Sequence, residues 1–136
     1  MKSATSPPAP QHIPAAALAG PTLRTLFNIL AAWQVDDTQA QHLLGVPRST
    51  YYRWRQAPEL ARLSPDTLER TSYVFGIYKA LQILLPNPDA ADSWPRRPND
   101  APLFGGQPPL ERMCAGHVAD LYVVRQYLDA VRGGKT

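Results

Sequence analysis

Positively charged and hydrogen-bonding side chains are concentrated in one short stretch of the chain. The stretch RSTYYRWRQ begins at residue 48, and six of its residues have the chemistry to contact a polyanion: Arg48, Ser49, Thr50, Tyr52, Arg53 and Arg55. Arginine donates to phosphate oxygens and to the edge of guanine, and hydroxyl groups donate to phosphates. This combination is typical of a surface that binds the backbone and the base edges of DNA.

A tight turn precedes this stretch and predicts how it would be presented. Residues 39–56 read QAQHLLGVPRSTYYRWRQ, which indicates two short helices joined at Gly45 and Pro47. Glycine can end the first helix in the left-handed conformation, and the fixed φ of proline favours the start of the next segment. Tyr51 and Trp54 lie three residues apart, so they share the face that packs inward. The spacing predicts a helix-turn-helix whose second helix carries its arginines outward.

The positive charge of the chain is localised near this turn. The formal net charge is +3, and residues 48–62 contain four arginines and a single acid, Glu59. A localised positive field releases counterions from a phosphate backbone more effectively than scattered charge does. Two interpretations stay open, because the helix face either contacts DNA or is a solvated face of a structural corner. Gln41 leaves the helix crossing in question, since many such units carry a small alanine four residues before the turn glycine.

Composition divides the 136-residue chain into an arm and two helical regions. The first twenty residues are rich in proline and alanine with almost no large apolar side chain, so they cannot offset their own ordering entropy. We predict a disordered arm over residues 1–20, a helix-turn-helix region over 21–63 and a second helical domain over 64–136. The arm lacks the continuous apolar run of a secretory signal, and no later segment is long and apolar enough to span a bilayer. Together with the single cysteine, these features predict a cytoplasmic protein with no membrane partner.

Apolar residues recur at helical spacing through most of the remaining sequence. One such stretch spans residues 22–33, and another spans about 117–132. Ser64 and Pro65 are a strong start signal for a helix that runs to about Leu85. The second half of that helix is apolar on nearly every side, so it lies either at the centre of the fold or against another chain. Because the chain shows no alternating strand pattern, we predict an all-α protein.

The segment between the two long helices is rich in proline and glycine. Residues 93–113 read SWPRRPNDAPLFGGQPPLERM, which has too many helix breakers to predict regular structure. A disordered linker has no need of large apolar side chains, yet this segment contains several. We therefore predict an ordered loop that is attached to the core by Trp94, Leu103, Phe104, Leu110 and Met113.

Residue patterns that indicate metal or covalent chemistry are few. Cys114 and His117 are spaced as metal ligands often are, but a closed zinc site needs four ligands, and His12 and His42 lie in other parts of the chain. No phosphate-binding glycine loop and no nucleophile motif occurs. We expect no metal, no cofactor and no enzymatic activity, although a catalytic site assembled from distant positions leaves no motif in the sequence.

Two motifs together resemble a known family. The helix-turn-helix contains LLGVPRSTYYRWR, and RRPNDAPLFGGQPPLERM follows after the long apolar helix. A tryptophan, a Pro-Asn pair, a Gly-Gly turn and a Pro-Leu pair are typical of the toxin-binding domain of Xre/MbcA/ParS antitoxins. The chain resembles this family, and most closely its ParS type, over about residues 22–136. The positions that carry the second motif are Trp94, Pro98, Asn99, Gly105, Gly106, Pro109 and Leu110.

The resemblance implies an antitoxin that binds and inhibits a RES-domain toxin, which has an ADP-ribosyltransferase-like fold and uses NAD. It also implies repression of the chain's own operon through operator DNA, and a homodimer within a larger assembly that includes the toxin. In such families the C-terminal end of the antitoxin reaches the mouth of the toxin's nucleotide site. The toxin-binding residues are then expected to be Trp94, Asn99, Arg132, Gly133, Gly134, Lys135 and Thr136.

Two alternatives remain open from the sequence. Residues 132–136 are either an inhibitory segment, whose carboxylate and glycines suit a site built for a pyrophosphate, or a frayed tail. The whole chain is either an antitoxin or a free-standing helix-turn-helix transcriptional regulator with a C-terminal dimerisation domain. A toxin gene beside this gene would favour the first function, and its absence together with sequence-specific DNA binding would favour the second.

Overall fold

The computed structural model describes residues 15–134, with side chains from residue 17 onward. Over these residues the chain forms seven α-helices and two short 3₁₀ helices and no strand, which confirms the predicted all-α class. The α-helices are α1 (Ala15–Ala32), α2 (Asp37–Leu44), α3 (Arg48–Gln56), α4 (Pro65–Leu84), α5 (Pro88–Ser93), α6 (Pro109–Met113) and α7 (Val118–Arg132). The 3₁₀ helices are Pro58–Leu60 and Trp94–Arg96.

The first helix begins earlier than the sequence predicts. Because α1 starts at Ala15, the predicted disordered arm is wrong for residues 15–20, and residues 1–14 lie outside the described part of the chain. Alanine has the highest helix propensity of all residues. Ala19 and Gly20 are also buried, and Gly20 lies beside Glu59 of the first 3₁₀ helix. Helix propensity and packing together therefore stabilise a helix over residues 15–20, where the prolines and small side chains of the arm had predicted disorder.

The helix-turn-helix follows the predicted geometry. Asp36 caps α2 by accepting the N–H of Gln39 at 2.7 Å, and the Gln39 side chain accepts the N–H of Asp36 at 3.0 Å. This reciprocal capping box satisfies two donors that a helix start leaves without partners. Gly45 ends α2 with φ of +68°, as its position predicted. Ala40, which is 1% exposed, supplies a small buried residue one position before Gln41.

A buried arginine joins the helix-turn-helix to the rest of the molecule. Arg70 of α4 is 8% exposed, and its Nε donates to Asp66 at 2.8 Å. Its terminal nitrogens donate to the carbonyl oxygens of His42 at 3.3 Å, Leu43 at 3.2 Å and Gly116 at 3.1 Å. The last carbonyls of a helix have no partner within it, so Arg70 caps α2 from outside. One guanidinium thus holds α2, α4 and the segment before α7 together.

The core lies between α4 and α7, with α1 and α2 closing one side. α4 also contacts α1, α2 and α5, so its apolar character reflects a central position for most of its length. Both ends of the helix depart from this, because Leu68 is 43% exposed and Ile83 is 50% exposed. The residues that α4 and α7 bury against one another and their neighbours are Val74, Ile77, Ala80, Leu81, Leu121, Val124 and Leu128.

The proline-rich segment is more regular than predicted. α5, the 3₁₀ helix Trp94–Arg96 and α6 lie within or next to it, and each begins with proline in its first turn, where no N–H is needed. The prediction of an irregular loop over residues 93–113 is therefore wrong for the 3₁₀ helix and for α6, whereas α5 comes before that segment and shares only Ser93 with it. Attachment to the core is confirmed, since Phe104, Leu110 and Met113 are 6%, 4% and 1% exposed.

Candidate functional site

α3 buries one face and leaves the opposite face polar. Tyr51 and Trp54 are 2% and 4% exposed, which confirms that they form the packing face. Thr50 is half-buried at the border of that face. The exposed face opposite carries Ser49, Tyr52, Arg53 and Gln56. The six residues predicted to bind DNA thus lie on one helix, and five of them are at its surface.

Two arginines at the edge of this surface are stacked on aromatic rings. The Cζ atom of Arg48 lies 5.0 Å from the ring centroid of Tyr52. The Cζ atom of Arg55 lies 4.9 Å from the ring of Phe27 and 6.0 Å from the ring of Tyr51. Stacking orients a guanidinium and leaves the N–H groups at its rim available. Arg55 is consequently turned toward α1, at the margin of the exposed face and not at its centre.

The carboxylate of Asp37, in the first turn of α2, helps to order this surface. Asp37 accepts hydrogen bonds from the hydroxyl groups of Tyr51 at 2.7 Å and Tyr52 at 3.1 Å. These bonds, Tyr51 first, lower the pKa of Asp37, and the charges of Arg55 and Arg48 act in the same direction. Burial, with the bond to Asp37, raises the pKa of Tyr51 to about 12. Asp37 therefore stays ionised and fixes both tyrosine rings of α3.

The C-terminal half carries an aromatic cluster that joins the proline-rich segment to α7. The ring of Trp94 stacks on Tyr127 with centroids 6.5 Å apart and meets Phe104 edge-on at 5.8 Å. Phe104 and Tyr127 are 5.3 Å apart, also edge to face. Aromatic pairs at these distances add to the stability that burial alone provides. Trp94 is only half-buried, so part of its ring remains available to a partner.

An apolar groove lies beside this cluster. It encloses about 180 Å³ and is formed by the end of α4, Trp94 and the last turns of α7, with the lining residues Leu81, Leu84, Leu85, Trp94, Tyr127, Leu128 and Val131. Arg132, Gly133 and Gly134 follow Val131 directly and are exposed. Trp94 thus lines the same groove as Val131, which directly precedes the C-terminal residues that were predicted to bind the same partner. Lys135 and Thr136, the other two predicted residues, lie outside the described part of the chain.

Asn99 has a different position from the other predicted toxin-binding residues. Its side-chain oxygen accepts the N–H of Ala101 at 2.9 Å, its own N–H donates to Gln107 at 3.2 Å, and its carbonyl accepts the N–H of Gly106 at 2.8 Å. These bonds form the turn that contains Gly105 and Gly106, which have φ of +57° and +87°. Asn99 therefore shapes the loop, and a direct contact of its side chain with a partner stays a prediction.

The described residues also bear on metal binding and on crossing of a membrane. No cluster of three or more potential metal ligands occurs among them. Burial raises the pKa of Cys114 to about 12, so its thiol stays protonated, and the exposed His117 lies 3.5 Å from Asp120. None of the helices in this part of the molecule combines the length and the apolar character needed to cross a bilayer.

Comparisons with known proteins match the two halves of the molecule separately. Residues 12–76 match the antitoxin Xre-like helix-turn-helix domain, and residues 80–134 match the antitoxin Xre/MbcA/ParS C-terminal toxin-binding domain. The two matches meet inside α4, so the predicted domain boundary before residue 64 stays a prediction. An uncharacterized protein of Sinorhizobium fredii, y4oB, is 45% identical over 113 residues, which cover 82% of this chain and 84% of the relative. The polar helix α3, which follows the turn at Gly45, lies in the first matched domain, and the apolar groove lies in the second. The chain therefore belongs to the Xre/MbcA/ParS antitoxins.

Proposed function

We propose that this antitoxin neutralises a RES-domain, NAD-using toxin of the ADP-ribosyltransferase type by direct binding. The observation that carries the proposal is the apolar groove that continues into the exposed residues Arg132, Gly133 and Gly134. The groove supplies apolar area for affinity, and a glycine backbone without side chains suits entry into a narrow nucleotide site. Anchoring and inhibition are thereby assigned to adjacent parts of one surface.

The groove has the residue types that protein interfaces favour. Trp94 and Tyr127 stand at its wall, and aromatic side chains dominate the binding energy of many interfaces. Leu84 and Leu85, at the end of α4, form part of the groove wall and are only partly buried. A partner that covers the groove would remove apolar surface of both α4 and α7 from water. The toxin is therefore expected to contact the end of α4 as well as the end of α7.

We also propose that α3 binds operator DNA and represses the antitoxin's own operon. The exposed face of α3 carries Arg53 at its centre and Arg48 and Arg55 at its edge, each with donor groups directed to the surface. A palindromic operator presents two equivalent half-sites, so we expect a homodimer within a hetero-oligomer that forms in the cytoplasm. Repression and neutralisation then use different ends of the molecule.

Two variants separate the two activities. Because Gly133 and Gly134 are exposed, the fold should persist when residues 133–136 are deleted, while a co-expressed RES-domain toxin regains activity. Arg53→Ala should weaken operator binding and leave neutralisation intact. Growth and cellular NAD report neutralisation, and a promoter fusion reports repression. A toxin that stays fully inhibited by the truncated chain would place the inhibitory contact elsewhere.

A free-standing regulator would behave differently in the same experiment. Its groove would pair two copies of the chain, so groove variants would abolish dimerisation and DNA binding together. No toxin gene would neighbour the antitoxin gene, and co-expression with RES-domain toxins would not restore growth. That pattern of results would replace the neutralisation proposal.

A further inference from the structure

A second cavity, polar and cationic, lies beside the exposed face of α3. It encloses about 260 Å³, several times the roughly 30 Å³ that one water molecule occupies in the liquid. α3 forms one wall, and the chain that follows the 3₁₀ helix Pro58–Leu60 forms the other. The lining residues are Thr50, Arg53, Trp54, Leu60, Ala61 and Arg62.

Local structure holds the second wall in place. The N–H groups of Leu60 and Ala61 donate to Ala57 at 3.0 Å and to Pro58 at 3.1 Å. Ala61 is 6% exposed, and the 3₁₀ helix packs against both α1 and α3. Arg62 is thus carried by a backbone whose position relative to α3 is defined by packing. The distance between the two walls does not depend on a free loop.

The charge of the cavity is not balanced by the one acid nearby. Glu59 forms an ion pair with Arg24 of α1, which directs its carboxylate away from the arginines that line the cavity. Arg48 and Arg55 stack on rings, but within residues 17–134 Arg53 and Arg62 have neither a carboxylate partner nor an aromatic ring beneath them. Two exposed guanidinium groups at one cavity are repelled by each other, and an anion between them would remove that repulsion.

We propose that this cavity binds a phosphate of the DNA backbone, with Arg62 as a contact outside the recognition helix. The inference rests on the proposed binding of DNA by α3. Guanidinium groups bind phosphate oxygens through paired N–H donors, and the Thr50 hydroxyl can donate from the floor of the cavity. Arg53 belongs both to the exposed face of α3 and to the cavity lining. The bound phosphate therefore lies next to the major groove of the DNA, which α3 enters.

Leu60 supports the same orientation toward DNA. It is 81% exposed at the edge of the cavity. A deoxyribose has apolar C–H groups next to its phosphates, and an exposed leucine at this position can pack on them. The cavity and Leu60 together therefore match one sugar–phosphate unit, with charge on one side and apolar surface on the other. Contacts of this kind fix register on the duplex without reading sequence.

The test compares single-charge variants of the full chain in binding to DNA from its own promoter. Arg62→Ala should weaken binding about fivefold at about 0.15 M salt and reduce the slope of log K against log salt by about 1. Arg62→Lys keeps the charge and should restore the slope. Lys79→Ala is the matched control, because it also removes one exposed positive charge but lies on α4, outside α3 and the cavity lining. A non-specific duplex should show the same loss of slope as the promoter.

The outcomes distinguish this inference from the function on which it rests. Promoter binding by the unaltered chain that is weakened by Arg53→Ala and unchanged by Arg62→Ala would overturn the phosphate site alone. No promoter binding by the unaltered chain at low salt would overturn DNA recognition by α3 and the phosphate site with it. Loss of toxin neutralisation in Arg62→Ala, with DNA binding unchanged, would reassign the cavity to a protein partner.

Discussion

At Gly45, backbone conformation and available space both exclude a side chain. Its φ is +68°, and an added Cβ would lie 2.6 Å from the Cζ atom of Arg70. Gly105 has a similar φ of +57°, but an added Cβ there would meet nothing within 4 Å. Substitution of each glycine therefore separates two free-energy costs: that of a side chain on a left-handed backbone, and that of displacing a buried guanidinium.

We predict different stability losses for alanine at these two positions. Gly105→Ala should lower the free energy of unfolding by about 1 kcal/mol, the cost of the left-handed region for a residue with a Cβ. Gly45→Ala should lower it by about 3 kcal/mol, because displaced hydrogen bonds of Arg70 add to that cost. Urea denaturation of both variants measures the difference. Equal losses would show that Arg70 moves aside without cost.

The carboxylate of Asp37 should make stability depend on pH. Its pKa in the folded chain lies below the ordinary value of 3.8, so its contribution is present above that pH. The contribution is lost as pH falls through the lowered pKa of the folded state. We predict that Asp37→Asn destabilises the chain at neutral pH and that the difference from the unaltered chain shrinks below about pH 4. Urea denaturation at a series of pH values measures this, and a difference that grows toward acid pH would contradict it.

At the scale of elements, Arg70 makes α2 depend on α4. The carbonyls of His42 and Leu43 have this side chain as a donor across 28 and 27 residues of sequence. Arg125 offers a contrast, because it pairs with Asp129 one turn along α7 and both side chains are substantially exposed. Both guanidinium groups reach a second helix, but Arg70 donates hydrogen bonds to carbonyls of α2, whereas Arg125 only packs over Gly76 of α4.

Replacement of each arginine by methionine should therefore have unequal effects. Arg70→Met removes the donor of the buried Leu43 carbonyl and the bonds to His42 and Gly116, so we expect a loss of about 2–4 kcal/mol. Arg125→Met should cost about 0.5 kcal/mol or less, as exposed pairs do. Hydrogen exchange should also show faster exchange of α2 amides in the first variant alone. Comparable losses in both variants would mean that Arg70 contributes only its apolar stem.

At the scale of the whole molecule, the exposed face of α3 and the apolar groove belong to different matched domains. Disruption of the groove should therefore spare α3. Val131→Glu places a charge among apolar side chains at the groove, and we predict that it weakens toxin binding by tenfold or more. Gln126→Glu makes the same charge change at an exposed position of α7 and is the control. Calorimetric titration with the toxin and promoter binding measure both activities, and loss of promoter binding in Val131→Glu would contradict the separation.

Much of this molecule follows from patterns that act within a few residues. Ser64 and Pro65 marked the start of α4, Gly45 ended α2 as expected, and the three-residue spacing of Tyr51 and Trp54 predicted their shared burial. The number of prolines led to a wrong prediction, because their effect depends on where in an element they lie. They lie in the first turn of the 3₁₀ helix Trp94–Arg96 and of α6, where residues need no N–H donor, although their number in residues 93–113 predicted an irregular loop.

Sequence alone determined most of α1, the helices α2, α3, α4 and α7, the turn and the apolar faces, because caps, backbone preferences and periodicity are encoded in neighbouring residues. Only the tertiary structure decided which polar groups meet. It brought Asp37 to two tyrosines of α3, Arg70 to the end of α2, and Arg62 to the same cavity as Arg53. Such encounters depend on the angles at which helices cross, and those angles result from packing of the whole core, which no short stretch of sequence specifies.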